Sequence, residues 1–351
     1  MAPPSPLGLP SAVASAFGKA PVPQPTLLTV HLANVTAYYQ DTVALATLAS
    51  LPQAPINTAT LAKNNFFPLE VVADIVQIND DNTVKGLYLS KNLVTKSGHD
   101  ASGTTAPQGT AISDASITGF RHDIYKILNS DYTEVGSIMA AGVSGQPIAP
   151  GGPLELLGGD WTITGGTGAF LGVAGQMGGQ GGAGGGGGTI RAASVTEDPS
   201  QRRILANSTN ITTMFLYLIP NERPQIVAIF HAPSGNQAPT PVTPAHPARP
   251  NDQLLLYATG LGPVTPNVPI GQPFPSNAAP AVTSPVTITV GNAPAITIAP
   301  GNALGYPGYA NGYSVLFAMP AGVSGQNHPR TASIQITAAW IPSAPATIDV
   351  P

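Results

Sequence analysis

Arg121, Asp123 and Tyr125 stand two residues apart in the run ITGFRHDIYKIL (117–128), and Glu70 and Asp74 stand four apart in LEVVADIVQI (69–78). Successive side chains on a strand point to opposite faces. One face of the first run therefore reads Arg121, Asp123, Tyr125, and the other reads Phe120, His122, Ile124, Lys126. Glu70 and Asp74 share a face with Val72 and Val76. No face is purely apolar, as expected of strands around a barrel lumen that holds a few polar groups. Carboxylates, a guanidinium and a phenol so placed can hydrogen-bond a ligand; as a same-face ion pair at an exposed rim, Arg121–Asp123 would be worth roughly 0–1 kcal/mol. Both alternatives stay open at this point.

Other chemistries are poorly served. The glycine-rich GGTGAFLG (165–172) follows an apolar run, where a phosphate cradle could stand. A cradle needs backbone N–H groups converging on a helix N-terminus, with Lys and Ser/Thr close by. Here a second apolar run and then oligo-glycine follow, and the chain has no Lys after 126. Gly166, Gly168 and Gly172, with Phe170 among them, read instead as a structural turn that uses positive φ or a bulge. The six His residues form no local clamp and there is no Cys, so no metal site is expected. No G-x-S-x-G elbow is present, and Ser144 and Ser324 sit in G-V-S-G turns. His122 and Asp123 are adjacent and point to opposite faces, so they cannot form a dyad. Asn79-Asp80-Asp81-Asn82 lacks the Gly and distal Glu of a calcium loop and reads as a hairpin turn. Asn34, Asn207 and Asn210 match the glycosylation acceptor pattern at close to chance frequency. No cofactor and no catalytic residue is expected.

The elements that must position these residues are almost all strands. Charged residues make up only 9% of the 351, against 39 Gly and 38 Pro, while 42% are hydrophobic; such a chain folds, with many turns. A net charge of −4 with scattered Lys and Arg argues against nucleic acid. No apolar run reaches the ~18–20 residues of a membrane-spanning helix. Zero Cys and a Thr-, Ser-, Asn- and Gln-rich surface fit an extracellular or cell-surface address.

Residues 1–25 hold seven Pro and no basic n-region, and read as an extended arm rather than a signal peptide. DTVALATLAS (41–50) is the best helical signal. Runs at 28–39, 68–78, 83–94 and 117–128, with five shorter ones before 220, make about eight strands without a crossover helix. A meander closing into a small barrel resolves their edges most economically. After Pro220-Asn221-Glu222-Arg223-Pro224 the strands become short, at 10–20-residue spacing with Pro-rich turns, the pattern of an immunoglobulin-like sandwich. The expected fold is therefore all-β: an arm over 1–25, a small antiparallel barrel over 26–220, and an Ig-like sandwich over 221–351.

Two resemblances bear on this. GDWTITGGTGAFLGVAGQ (159–176), preceded by FRHDIYKILNSDYTEVGSIM (120–139), resembles the allene-oxide-cyclase and dirigent-type barrel superfamily, whose G-T-G-x-F-x-G turn is matched by Gly166, Thr167, Gly168, Phe170 and Gly172. In that superfamily lumen carboxylates and aromatics line a pocket for an apolar small molecule, which implies Glu70, Asp74, Arg121, Asp123 and Tyr125 as ligand-binding residues here. PQIVAIFHAPSG (224–235), DQLLLYATGLGPVTP (252–266) and GYSVLFAMPAGVSG (312–325) resemble a C-terminal Ig-like module of secreted bacterial proteins. The match keeps Tyr257, Thr259, Gly260, Leu261, Gly262 and Pro263, with Asn251 where Gly is usual. It implies export and a structural or adhesive role.

The expectation is a secreted, non-enzymatic bacterial protein that serves surface structure, adhesion or self-assembly into filaments. Its partner would be itself, through the arm and sheet edges. The alternative is a barrel that binds an apolar small molecule; a glycan on Tyr306, Tyr309 and Tyr313 is a third.

Overall fold

The computed structural model describes residues 26–39, 67–96, 117–144, 146–147, 158–179, 190–192, 212–233, 238–323 and 330–351. The expected arm (1–25), the helical signal at 41–50 and all but the start of the oligo-glycine run lie outside the described residues.

Eight antiparallel strands form a closed barrel: β1 (Thr26–Tyr39), β2 (Phe67–Ile78), β3 (Lys85–Lys96), β4 (Ile117–Leu128), β5 (Glu134–Ser144), β6 (Gly158–Gly168), β7 (Ala174–Gly179) and β8 (Thr212–Ile219). Each strand pairs with the next, and β8 pairs back onto β1 from Thr26↔Leu218 to Leu32↔Thr212. Closure leaves no unpaired edge in the ring. A short strand at 190–192 runs parallel to the far end of β1.

The β2–β3 connection is the expected hairpin turn. Asn79 adopts φ 51°, its N–H donates to the Thr29 carbonyl, and its Oδ1 accepts from the Thr29 N–H. The end of β6 and the turn that follows carry Gly166, Gly168, Phe170 and Gly172. Gly168 (φ 61°) and Gly172 (φ 73°) are left-handed, and a Cβ on Gly168 would lie 2.5 Å from the Val135 carbonyl oxygen. Phe170 folds back as a buried plug at this end of the barrel. The turn is thus a strand-to-strand connection and no helix N-terminus.

Beyond Ile219 come two further antiparallel sheets over a common core. The first is built on β9 (Gln225–His231), β10 (Gln253–Thr259), β12 (Ala303–Gly305) and β13 (Tyr313–Ala318); the second on β11 (Val286–Val290), β14 (Thr331–Ala338) and β15 (Ala346–Asp349). Their inward alternate residues meet: Leu254, Leu256, Val315 and Phe317 from one, Ile288, Val290, Ile334 and Ile336 from the other. The chain is all-β, a closed barrel followed by additional antiparallel sheets.

The two parts share a seam. The turn after β14 places Ala339 (φ 47°) and Trp340 (φ 62°) at its centre, the two positive φ values of a type I′ hairpin. Ala339 and Ile341 belong to the barrel's buried cluster, and Trp340 packs against it. Trp340 Nε1 donates to Asp81 Oδ2 at 3.2 Å, and Asn129 Nδ2 donates to the Thr283 carbonyl at 3.0 Å. Arg223, in the link between the parts, donates from Nη2 to Thr26 Oγ1 at the start of β1.

Candidate functional site

Alternation on β4 places Asp123, Tyr125 and Ile127 inside the barrel and leaves Phe120, His122, Ile124 and Lys126 outside. The Arg121 side chain is 18% exposed and that of Asp123 fully buried. The pair is therefore a lumen pair rather than an exposed rim pair. Cross-strand register adds four residues. Tyr88 of β3 lies opposite Tyr125, Ser90 opposite Asp123, and Arg121 lies opposite Gly142, itself opposite Trp161 of β6. Because Gly142 has no side chain, the guanidinium reaches over that strand, and its Cζ sits 4.7 Å from the Trp161 ring centroid.

The polar atoms form a compact network. Arg121 Nε donates to Asp123 Oδ1 at 2.9 Å, and the Tyr88 hydroxyl donates to the same oxygen at 2.8 Å. Arg121 Nη2 donates in turn to the Tyr88 hydroxyl oxygen. The Tyr125 hydroxyl donates to Met177 Sδ at 2.8 Å, and its ring centroid lies 5.0 Å from that of Tyr88. Burial pushes the Tyr88 phenol well up; Arg121 opposes this and Asp123 reinforces it. Tyr125 is raised chiefly by burial, with Tyr88 and Asp123 adding to it. For Arg121 burial works against the charge, but Tyr88 and Asp123 outweigh it and raise the guanidinium above its ordinary value. Tyr88 is therefore held as a neutral phenol between a fixed donor and a fixed acceptor, suited to holding geometry and unsuited to taking a proton.

Within this network two buried polar atoms, Asp123 Oδ2 and Trp161 Nε1, have no hydrogen-bond partner among the described residues. Buried polar atoms are usually satisfied, so such exceptions call for an explanation. Toward the sandwich the lumen is filled. Trp161, Tyr125, Met177, Leu216, Ile138 and Leu28 have no surface open to water, so no ligand-sized space adjoins them. The inward side chains beside Asp123 are small: Ser90, Ala140 and Gly142.

Of the five residues expected to hold a ligand, Arg121, Asp123 and Tyr125 come together. Asp74 is exposed on the outer face of β2, where it accepts from Asn34 Nδ2. The Glu70 side chain lies outside the described residues, although its backbone pairs with Lys91. Tyr88 and Trp161 were missed. Both sat in strand-like runs, but only register brings them to Asp123.

Elsewhere, His231 and His246 meet at an open depression of about 380 Å³ beside Arg249 and Asp252. His231 Nδ1 lies 3.5 Å from Asp252 Oδ2, and its Nε2 faces the His246 carbonyl at 3.1 Å. No cluster of three or more metal-ligating side chains occurs among the described residues. Tyr306 and Tyr313 are buried: Tyr313 donates to the Gly262 carbonyl at 2.6 Å, and Phe230, Tyr257, Tyr306 and Tyr309 pack ring against ring at 5.5–5.7 Å. Their faces are engaged with one another, leaving Tyr309 half-buried. Burial, reinforced by Tyr306, pushes Tyr257 up to about 12. No described helix is long and apolar enough to cross a membrane, which says nothing of strands.

No family model, curated protein or solved structure matches this chain.

Proposed function

We propose that this is an exported, non-enzymatic structural protein of bacterial surfaces, a dirigent-like barrel joined to an Ig-like module and able to self-assemble. The observation that carries this reading is the seam. Ala339 and Ile341 of the second part's hairpin are buried in the hydrophobic cluster of the first, with Trp340 packed against it. A filled barrel seated on that hairpin is a stiff body whose parts cannot rotate freely, which suits a load-bearing subunit better than a hinged enzyme. The test is the assembly state of the purified full chain by sedimentation velocity and electron microscopy. Polymers are expected, and a strict monomer at every accessible concentration sinks the self-assembly reading.

A second reading is favoured by one specific observation, the unpartnered Asp123 Oδ2 and Trp161 Nε1. Because Asp123 and Trp161 are fully buried and Arg121 is only partly exposed, a small hydroxyl-bearing molecule would reach them by displacing the Arg121 side chain, then donate to the carboxylate or accept from the indole. The filled lumen limits it to a small ligand, which weighs against a long apolar one. Native mass spectrometry of freshly purified protein tests this: an adduct lost in Asp123→Asn supports it, and unliganded mass with unchanged Trp fluorescence on adding glucose or glycerol refutes it.

A further inference from the structure

Around Asp123, strands β3, β4 and β5 turn several small or polar residues inward and several large apolar ones outward. Tyr88, Ser90, Asp123, Ala140 and Gly142 point to the lumen, while Leu87, Ile124, Phe120 and Met139 are exposed. Ile124 lies directly opposite Leu89 on one side and Met139 on the other, and Val72 continues the row beyond Leu89. Phe120 is 62% exposed two rows away. A second apolar patch joins β1 and β8, where Leu27 pairs with Tyr217 and Ile219 stands exposed on the same face.

The ring order decides what these patches can do. In an eight-strand closed barrel, β4 is four strands from β8 in either direction. The two patches therefore look out from opposite sides. Each is a cross-strand row on a closed sheet, so neither can be covered by strand addition. From the exposed fractions, the β3–β5 face offers on the order of 400 Å² of apolar surface, interspersed with Asp74, Lys91, His122 and Lys126 as in the mixed surface of a protein interface. A standard interface takes about 800 Å² per partner, a little over half of it apolar. The patch has the apolar area of one such interface.

We propose that the β3–β5 face of one copy of this chain docks on the β1–β8 face of the next. This deepens the self-assembly reading and rests on it. Two unlike patches on opposite sides make a heterologous contact, and repetition of such a contact gives an open line of subunits unless a rotation happens to close it.

The test uses the full chain with Ile124→Glu and Tyr217→Glu, one per face. Both side chains point outward, so circular-dichroism melting should stay within a few degrees of the parent and show that each variant folds. In sedimentation velocity the parent should polymerise, and each variant should lose at least tenfold of its polymer mass. Mixed in equal amounts, the two variants should form dimers and stop, because each retains the face that the other lacks. The pairing is overturned while self-assembly stands if the parent polymerises and either variant does so equally, or if the mixture remains monomeric. A monomeric parent overturns both. Hydrophobic-dye binding then separates the remaining occupants: a dye-binding monomer has a bare face for a different partner, and a dye-silent one covers the face with its own chain.

Discussion

Replacing Asp123 with Ala tests whether the lumen pair is buried as drawn. The substitution removes the shared acceptor of Arg121 Nε and the Tyr88 hydroxyl, and leaves a guanidinium only 18% exposed above the Trp161 ring. Removing one member of a buried pair typically costs 3–5 kcal/mol, most of it the burden of an uncompensated charge. Arg121 sits near the open end and can turn partly toward solvent, which places the expectation at the lower limit, about 3 kcal/mol. With a urea m-value of about 2 kcal/mol/M, the unfolding midpoint should fall by roughly 1.5 M. Fluorescence of Trp161, one of two Trp residues, follows the barrel transition. The double variant Arg121→Met/Asp123→Leu removes both charges, and well-packed apolar replacements of buried pairs are often neutral or stabilising. It should recover most of the lost midpoint. A single-variant shift below about 0.5 M, or a double variant worse than the single, would refute a desolvated ion pair at this position.

Three more outcomes follow from the geometry. Trp340→Ala removes the bond to Asp81 and a half-buried ring at the seam, and should cost about 2–3 kcal/mol and split thermal unfolding into separate barrel and sandwich steps in calorimetry. Gly168→Ala forces a side chain onto φ 61° with its Cβ 2.5 Å from a backbone oxygen; a loss of at least about 2 kcal/mol is expected in urea melts, and a neutral result would mean a different turn. Tyr88 and Tyr125 have folded pKa values raised above their unfolded values, so their stabilising contribution is complete below about pH 10 and is lost as the pH rises beyond it. Tyrosinate absorbance should therefore show exposed tyrosines titrating first and the lumen pair only with unfolding; ionisation of all ten near pH 10 in a folded protein would contradict their burial.

The barrel was legible because its strands are long. The run at 117–128 matches β4 residue for residue, the polar turn at 79–82 fell between two strands, and alternation correctly put Arg121, Asp123 and Tyr125 on one face. Period-2 patterning cannot say which face is inside, however. On β3 an apolar-inward rule would bury Leu87 and Leu89, whereas the structure buries Tyr88 and Ser90. That choice is made by Asp123 and Arg121, which need partners, and partners come through register rather than spacing. Trp161 illustrates the same limit: its place beneath Arg121 depends on a glycine at 142, nineteen positions earlier. The seam was invisible because Trp340 and Asp81 are 259 residues apart and neither carries a local signal.

The sandwich sheets end in very short outer strands, two residues each at 240–241, 264–265 and 296–297, beside a barrel with no free edge. Among the described residues these ends offer short ladders, whereas the docking proposed above joins sheet faces rather than edges, unlike the growth mode of amyloid. A polymer built on the proposed β3–β5 to β1–β8 contact would be held by side chains across sheet faces. It should therefore tighten in sulfate, loosen on cooling as burial of apolar surface weakens, and disperse in mild detergent into folded subunits, without the dye response of a cross-β fibre.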